Sequence, residues 1–87
     1  MNLRLENVRV AERLSQETTA FTATVCLGDA VVGFVRNDGS GGSHSYHWLD
    51  RRAEAELRAW ANKRPLPFDF ERLDQIIDGL VAKEAVT

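Results

Sequence analysis

Phe21, Ala23, Val25 and Leu27 stand at alternate positions with Thr22, Thr24 and Cys26 between them, and this strict period of two constrains the chain more than any other feature. Side chains two apart share a face of a strand, so residues 20–27 make a strand with one apolar side. Gly28-Asp29 can supply a two-residue hairpin loop, which in a regular hairpin pairs Leu27 with Ala30, Val25 with Val32 and Ala23 with Phe34. All of those pairs are apolar, giving a second strand over 30–36 and one coherent greasy face. Each large side chain fully buried there contributes on the order of 1.5–3 kcal/mol. Gly33 falls on the opposite face, where something can approach the backbone closely, and Cys26 points the same way with Thr22, Thr24 and Val35.

A strand over about 2–14 precedes this hairpin. Leu3 and Leu5 are odd-numbered while Val8, Val10 and Leu14 are even, and a half-buried strand cannot change parity without an extra residue. A bulge or bend near Glu6-Asn7 is therefore predicted. Residues 15–18 read as a polar turn. After Arg36, residues 37–45 contain nothing that could pack a core and form a loop. Leu49, Ala53, Leu57, Trp60 and Ala61 then recur at helical spacing and predict a helix over about 48–63, with Asp50 or Ser45 as its cap and Glu54 beside Arg58 on its outer side. Pro65 and Pro67 break it. Asp69 opens a second helix over about 70–84, where Leu73, Ile76, Ile77, Leu80 and Val81 make an apolar stripe. Gly79 inside that helix costs about 1 kcal/mol relative to alanine, which points to close packing or a frayed end. The expected architecture is α+β: a three-stranded antiparallel β-meander followed by two amphipathic helices packed on one face of the sheet. Eighty-seven residues hold apolar material for one core, so residues 1–87 form a single domain.

With 44% hydrophobic and 28% charged residues the chain has the balance of an ordinary globular protein. Charges interrupt the first ten residues, so no signal-peptide core is present there, and the longest apolar run, residues 30–35, is far short of the roughly 20 that cross a bilayer. No membrane association is expected. Cys26 is the only cysteine, which excludes an internal disulfide and a thiolate zinc cluster and fits a cytoplasmic location. The net charge is −2, and the first helix carries five bases against three acids while the tail from Pro65 carries five acids against two bases. That is neither the concentrated basic surface of a strong polyanion binder nor the dense acid of a DNA mimic.

Residues 37–48, NDGSGGSHSYHW, are the one stretch that core and helix requirements do not explain. Gly39, Gly41 and Gly42 let the backbone of an Asn37-Asp38 turn line up N–H groups as an anion-binding nest, or simply make a connector. It is not a P-loop, since no Lys-Ser or Lys-Thr follows, and His44 stands where a dinucleotide fingerprint has its third glycine. His44 and His47, three apart, could meet on a helical turn with Asp38 or Asp50, but such a pair more often makes surface hydrogen bonds. No nucleophile elbow accompanies the serines, so no catalytic constellation and no cofactor is expected. Tyr46 is the aromatic for an interface, and Trp48, beside the helix stripe, is the one for the core. Arg51 and Arg52 begin a basic stripe on the first helix that could touch phosphates, although Glu54 and Glu56 interrupt it.

The segments E-T-T-A-F-T-A-T-V, V-V-G-F-V and N-D-G-S-G-G resemble small uncharacterised proteins of bacteria, plasmids and phages, in which an F-T-A-T segment precedes a hairpin with a late glycine and then N-D-G-x-G-G. Phe21, Thr22, Ala23, Thr24, Gly33, Asn37, Asp38, Gly39, Gly41 and Gly42 carry the likeness, over about residues 15–48. The resemblance implies a mobile-element context and no assigned activity. The leading expectation is a non-enzymatic protein that works through protein contacts, using the glycine-rich loop and the uncovered sheet face. By the resemblance alone, its partner would be a host defence complex, as for an anti-CRISPR inhibitor. The alternative is a nucleic-acid-binding module using the basic first helix and the loop. A mixed polar and apolar sheet face leaves a homodimer open.

Overall fold

The computed structural model describes residues 2–11, 20–39, 41–65 and 71–85. Its elements run β1 (Leu3–Val10), β2 (Phe21–Leu27), β3 (Ala30–Asn37), β4 (Ser45–Trp48), α1 (Arg51–Asn62) and α2 (Arg72–Ala85). The four strands form one antiparallel sheet in the order β1-β2-β3-β4. The class is the expected α+β, but with a fourth strand in place of the end of the loop and the first turn of the helix. Predicted features at residues 12–19 and 66–70, including Leu14, the polar turn, Pro67 and the Asp69 cap, lie outside the described residues.

The slip in β1 is real. Register shifts between Glu6 and Arg9, and Asn7 takes φ 52, a left-handed conformation that asparagine tolerates better than most residues. The β2–β3 hairpin turns at Gly28 (φ 58) and pairs Leu27 with Ala30 as expected, but it does not stay regular. Cys26 pairs with Val31 and Val25 with Gly33, so Val32 is an extra residue in a second bulge. Beyond it every face is exchanged relative to the regular hairpin. Val35 pairs with Ala23 and is buried, not outward beside Cys26, and Phe34 is 43% exposed, not in the core.

The strand that sequence did not show accounts for this. Gly33 pairs with Trp48 of β4, and a Cβ on Gly33 would lie 2.7 Å from the His47 carbonyl oxygen and 3.1 Å from the Trp48 ring. That inward position next to β4 has room for no side chain. The bulge places glycine there and sends Phe34 out. The close approach anticipated at Gly33 is therefore β4 itself, on the helix-covered side of the sheet.

Phe21, Ala23, Val25, Val32 and Val35 pack with Ala53, Leu57 and Ala61 of α1 and Leu73, Ile77 and Val81 of α2 in one core. Leu57 and Ile77 are fully buried, each contributing on the order of 1.5–3 kcal/mol. α1 begins at Arg51, because Asp50 (φ −133) accepts the N–H groups of Arg52 at 3.0 Å and Ala53 at 3.2 Å. Leu49, expected in its apolar stripe, instead lies in the link before the cap and is 56% exposed. Arg72 of α2 donates from Nε to the Ala61 carbonyl at 3.1 Å, satisfying a last-turn acceptor of α1. Gly79 has open space where a Cβ would be, so close packing does not explain it. Among the described residues no helix is long and apolar enough to cross a membrane.

Candidate functional site

β4 has two sides, and the sequence candidates divide between them. Toward the helices the connection from β3 to β4 is held by a chain of polar contacts. Asn37, buried at the end of β3, accepts the Gly39 N–H on Oδ1 at 2.8 Å, and its Nδ2 donates to the Gly42 carbonyl at 2.9 Å and faces His44 Nδ1 at 3.1 Å. Gly39 (φ 86) and Gly41 (φ 92) supply the left-handed turns this path requires. A flipped Asn37 amide would break both backbone bonds, so its N–H donates to Nδ1 and the His44 proton resides on Nε2. That Nε2–H meets Asp78 Oδ1 at 2.7 Å, while the His44 backbone N–H donates to Asp74 Oδ2 at 2.9 Å. The Tyr46 hydroxyl donates to the other Asp74 oxygen at 2.5 Å.

Asp74 is itself buried, so α2 is latched to the loop and β4 through a carboxylate that accepts two protein donors. Burial works to lower the His44 pKa. The hydrogen bond and charge of Asp78, with the charge of Asp74, outweigh it and hold the ring above the ordinary histidine value. Burial, then the adjoining Asp74 carboxylate, pushes the Tyr46 hydroxyl far above its usual range, so it remains a donor. Phe21 packs edge-on against the His44 ring at 4.9 Å, and Tyr46 stacks on Trp48 at 5.3 Å with Arg58 over both rings. Tyr46, expected to be exposed, is half-buried, with its hydroxyl engaged by Asp74.

The side of the sheet away from the helices is different in kind. The register aligns Arg9, Thr22, Arg36 and Ser45 in one row across all four strands, and Glu6, Thr24, Phe34 and His47 in the next. Phe34 and His47 stack at 6.2 Å with 26° between their planes. All of these row residues except Glu6 line an open groove of about 460 Å³, which also meets Asn7. Among its described lining residues none is acidic, and neither Arg9 nor Arg36 has an ion pair or hydrogen-bond partner among the described residues. Glu6, at the end of the second row, is engaged elsewhere: Arg4 meets it at 2.8 Å and the Cys26 thiol donates to it at 3.2 Å. The Arg4 hydrogen bond holds the Glu6 carboxyl below its ordinary value, and burial with the Glu6 contact pushes the Cys26 thiol up. Cys26 does face outward as expected, but it is covered completely and stays a thiol.

The candidates of residues 37–48 therefore do not converge on one site. Asn37, Gly39, Gly42, His44 and Tyr46 belong to the latch, and His47 belongs to the open groove. Asp38 and Gly41 are exposed on the connection, and a Cβ on Gly42 would meet nothing. His44 and His47 lie on opposite sides of the sheet, so they do not form a ligand pair. Among the described residues no group of three or more histidines, cysteines, aspartates or glutamates is placed to hold a metal. Arg51 pairs with Glu54 at 3.3 Å, Arg58 with the same carboxylate at 3.1 Å, and Arg52 is exposed on α1. The groove residues Arg9, Thr22, Thr24, Phe34, Arg36 and Ser45 were not singled out by sequence as a site. The available signal was the adjacent apolar pair Val31-Val32, a parity slip of the kind that revealed the bulge in β1. No known protein family, curated protein or solved structure matches the chain.

Proposed function

We propose that this chain is a non-enzymatic binding module and that it takes its partner on the open face of the sheet. The observation that carries this reading is Phe34, a large aromatic left 43% exposed beside His47 on the uncovered side of the sheet, while both helices pack on the other side. The groove around it is built from hydroxyls, guanidinium groups and a ring pair, which hold a ligand by contact and charge. The groups suited to proton transfer, His44, Asp74 and Tyr46, are occupied in fixing α2 against β4. The glycine-rich connection is drawn into that latch, so it supports the binding face rather than forming it. On α1, Glu54 engages Arg51 and Arg58, and Arg58 and Arg64 lie over aromatic rings, which weakens the basic-helix reading. The resemblance of residues 15–48 to small bacterial, phage and plasmid proteins supplies a mobile-element setting, and the host defence partner it implies draws no support from the residues of this groove.

Site-directed photocrosslinking in cells tests the location. With p-benzoylphenylalanine at Thr22, beside the groove, adducts are expected; with the same probe at Arg52 on α1 they are not. Adducts from Arg52 and none from Thr22 would overturn the reading.

A further inference from the structure

The open face is charged unlike the chain as a whole, and its rings and cations lie in adjacent rows. Net charge is −2, yet the groove's described lining holds Arg9, Arg36 and no acid. Asp74 and Asp78, by contrast, project from α2 on the other side of the sheet and are taken up by Tyr46 and His44. Along a strand, positions on one face repeat every two residues, so the Phe34–His47 row and the Arg36–Ser45 row are about 7 Å apart, at about 3.4 Å rise per residue. Arg9 and Arg36 stand two strands apart, about 10 Å across the sheet. A flat ring floor with hydroxyls around it, and guanidinium groups one row away that have no partner among the described residues, matches a planar base linked to a phosphate.

We infer that the occupant of this face is a single-stranded nucleic acid, with an unpaired base stacked on Phe34 and His47 and its flanking phosphates met by Arg36 and Arg9. This rests on the reading of the open face as the binding surface and names the partner. Stacking on a sheet floor requires a base whose face is free, so a duplex, with its bases stacked inside, gains only the phosphate contacts. Thr22 and Ser45 in the arginine row and Thr24 beside Phe34 in the ring row offer hydroxyls to sugar and phosphate oxygens without selecting a base. A protein partner would find two arginines with no counter-charge among the described residues to neutralise, and one large exposed ring near them, Phe34, to bury. The chemistry favours a polyanion that brings its own rings.

The test is fluorescence anisotropy with labelled oligo-dT and oligo-U of about 10 nucleotides, a length within the range that small sheet domains cover. Saturable binding is expected at about 50 mM salt, and two phosphate contacts predict a log–log salt slope of about −1.4. Phe34→Ala should weaken binding by roughly fivefold to a hundredfold. Arg9→Ala and Arg36→Ala should each weaken it and flatten the slope by about 0.7. Arg51→Ala/Arg52→Ala should bind as the parent does. The altered side chains on the sheet are solvent-exposed, and an unchanged urea midpoint shows that each variant is folded. No saturable binding to either oligonucleotide, equal binding of a duplex, or a folded Phe34→Ala variant that binds as well as the parent would each overturn the inference. Thr22 adducts that survive nuclease and disappear with protease would overturn it too, while leaving the open face as the binding surface.

Discussion

Replacing Asp74 by alanine tests the latch that fixes the sheet's second hairpin to α2. Asp74 is 8% exposed, and its carboxylate accepts the His44 N–H at 2.9 Å and the Tyr46 hydroxyl at 2.5 Å. A hydrogen bond to a charged group contributes about 1.5–3 kcal/mol net, so two bonds set a ceiling near 6 kcal/mol. The half-buried Tyr46 hydroxyl can recover a water partner, and removing a buried charge relieves some desolvation, which brings the expected loss to about 2–4 kcal/mol. A chain of this length has a total stability of roughly 4–13 kcal/mol, so Asp74→Ala removes a substantial share of it. In urea, with a slope of about 1 kcal/mol per molar for a small domain, the midpoint falls by about 2–4 M. Tyr46→Phe should cost about 1–2 kcal/mol alone and much less once Asp74 is alanine, giving a coupling of about 1 kcal/mol in the double-mutant cycle. A loss below about 0.5 kcal/mol for Asp74→Ala, or a Tyr46→Phe cost identical in both backgrounds, would show that the carboxylate holds nothing in place.

Three further outcomes follow from the same structure. Gly33→Ala drives a methyl group to 2.7 Å from the His47 carbonyl oxygen, so β3 and β4 must part; a loss of about 1–3 kcal/mol is expected in urea titrations, with hydrogen-exchange protection falling first at residues 45–48. Gly79→Ala meets open space on an exposed helix position and should stabilise by about 0.5–1 kcal/mol, raising the melting temperature by several degrees. Because the folded-state pKa of His44 is raised, its contribution to stability is fully present below the unfolded value of about 6.5 and is lost as pH rises through the folded value. The urea midpoint of the parent should therefore exceed that of His44→Gln by more at pH 5 than at pH 8, and an equal difference at both would contradict the Asp78 pairing.

What the sequence made legible was whatever depends on local period and local chemistry. The bulge at Asn7, the turn at Gly28, the cap at Asp50 and the α2 stripe each follow from neighbours a few residues apart, and each stands within about two residues of expectation where it is described. β4 was hidden because Ser45–Trp48 is four residues long and pairs only with β3, so no internal repetition announces it. Missing it carried the error to Phe34, since only β4 explains why the inner position beside it must be glycine. The latch was half visible. Asn37, His44 and Tyr46 stood out by composition, but Asp74 and Asp78 lie 28 to 34 residues further along and read as ordinary polar positions on a helix. The uncovered sheet face was expected, with Thr22 and Thr24 on it, but the groove's arginines and ring pair were not, because they are scattered over the strands and meet only through register.

The extra residue in β3 also sets which side of the sheet carries this surface. An uninterrupted pairing of residues 20–37 would point Val32 and Phe34 both to the oily side. The bulged alignment instead sets Gly33 against Ser45–Trp48, where a larger residue would clash. In the uninterrupted alignment the aromatic platform would be turned inside out, so the same extra residue that fits β3 to its last neighbour also decides which side of the sheet displays the Phe34 ring.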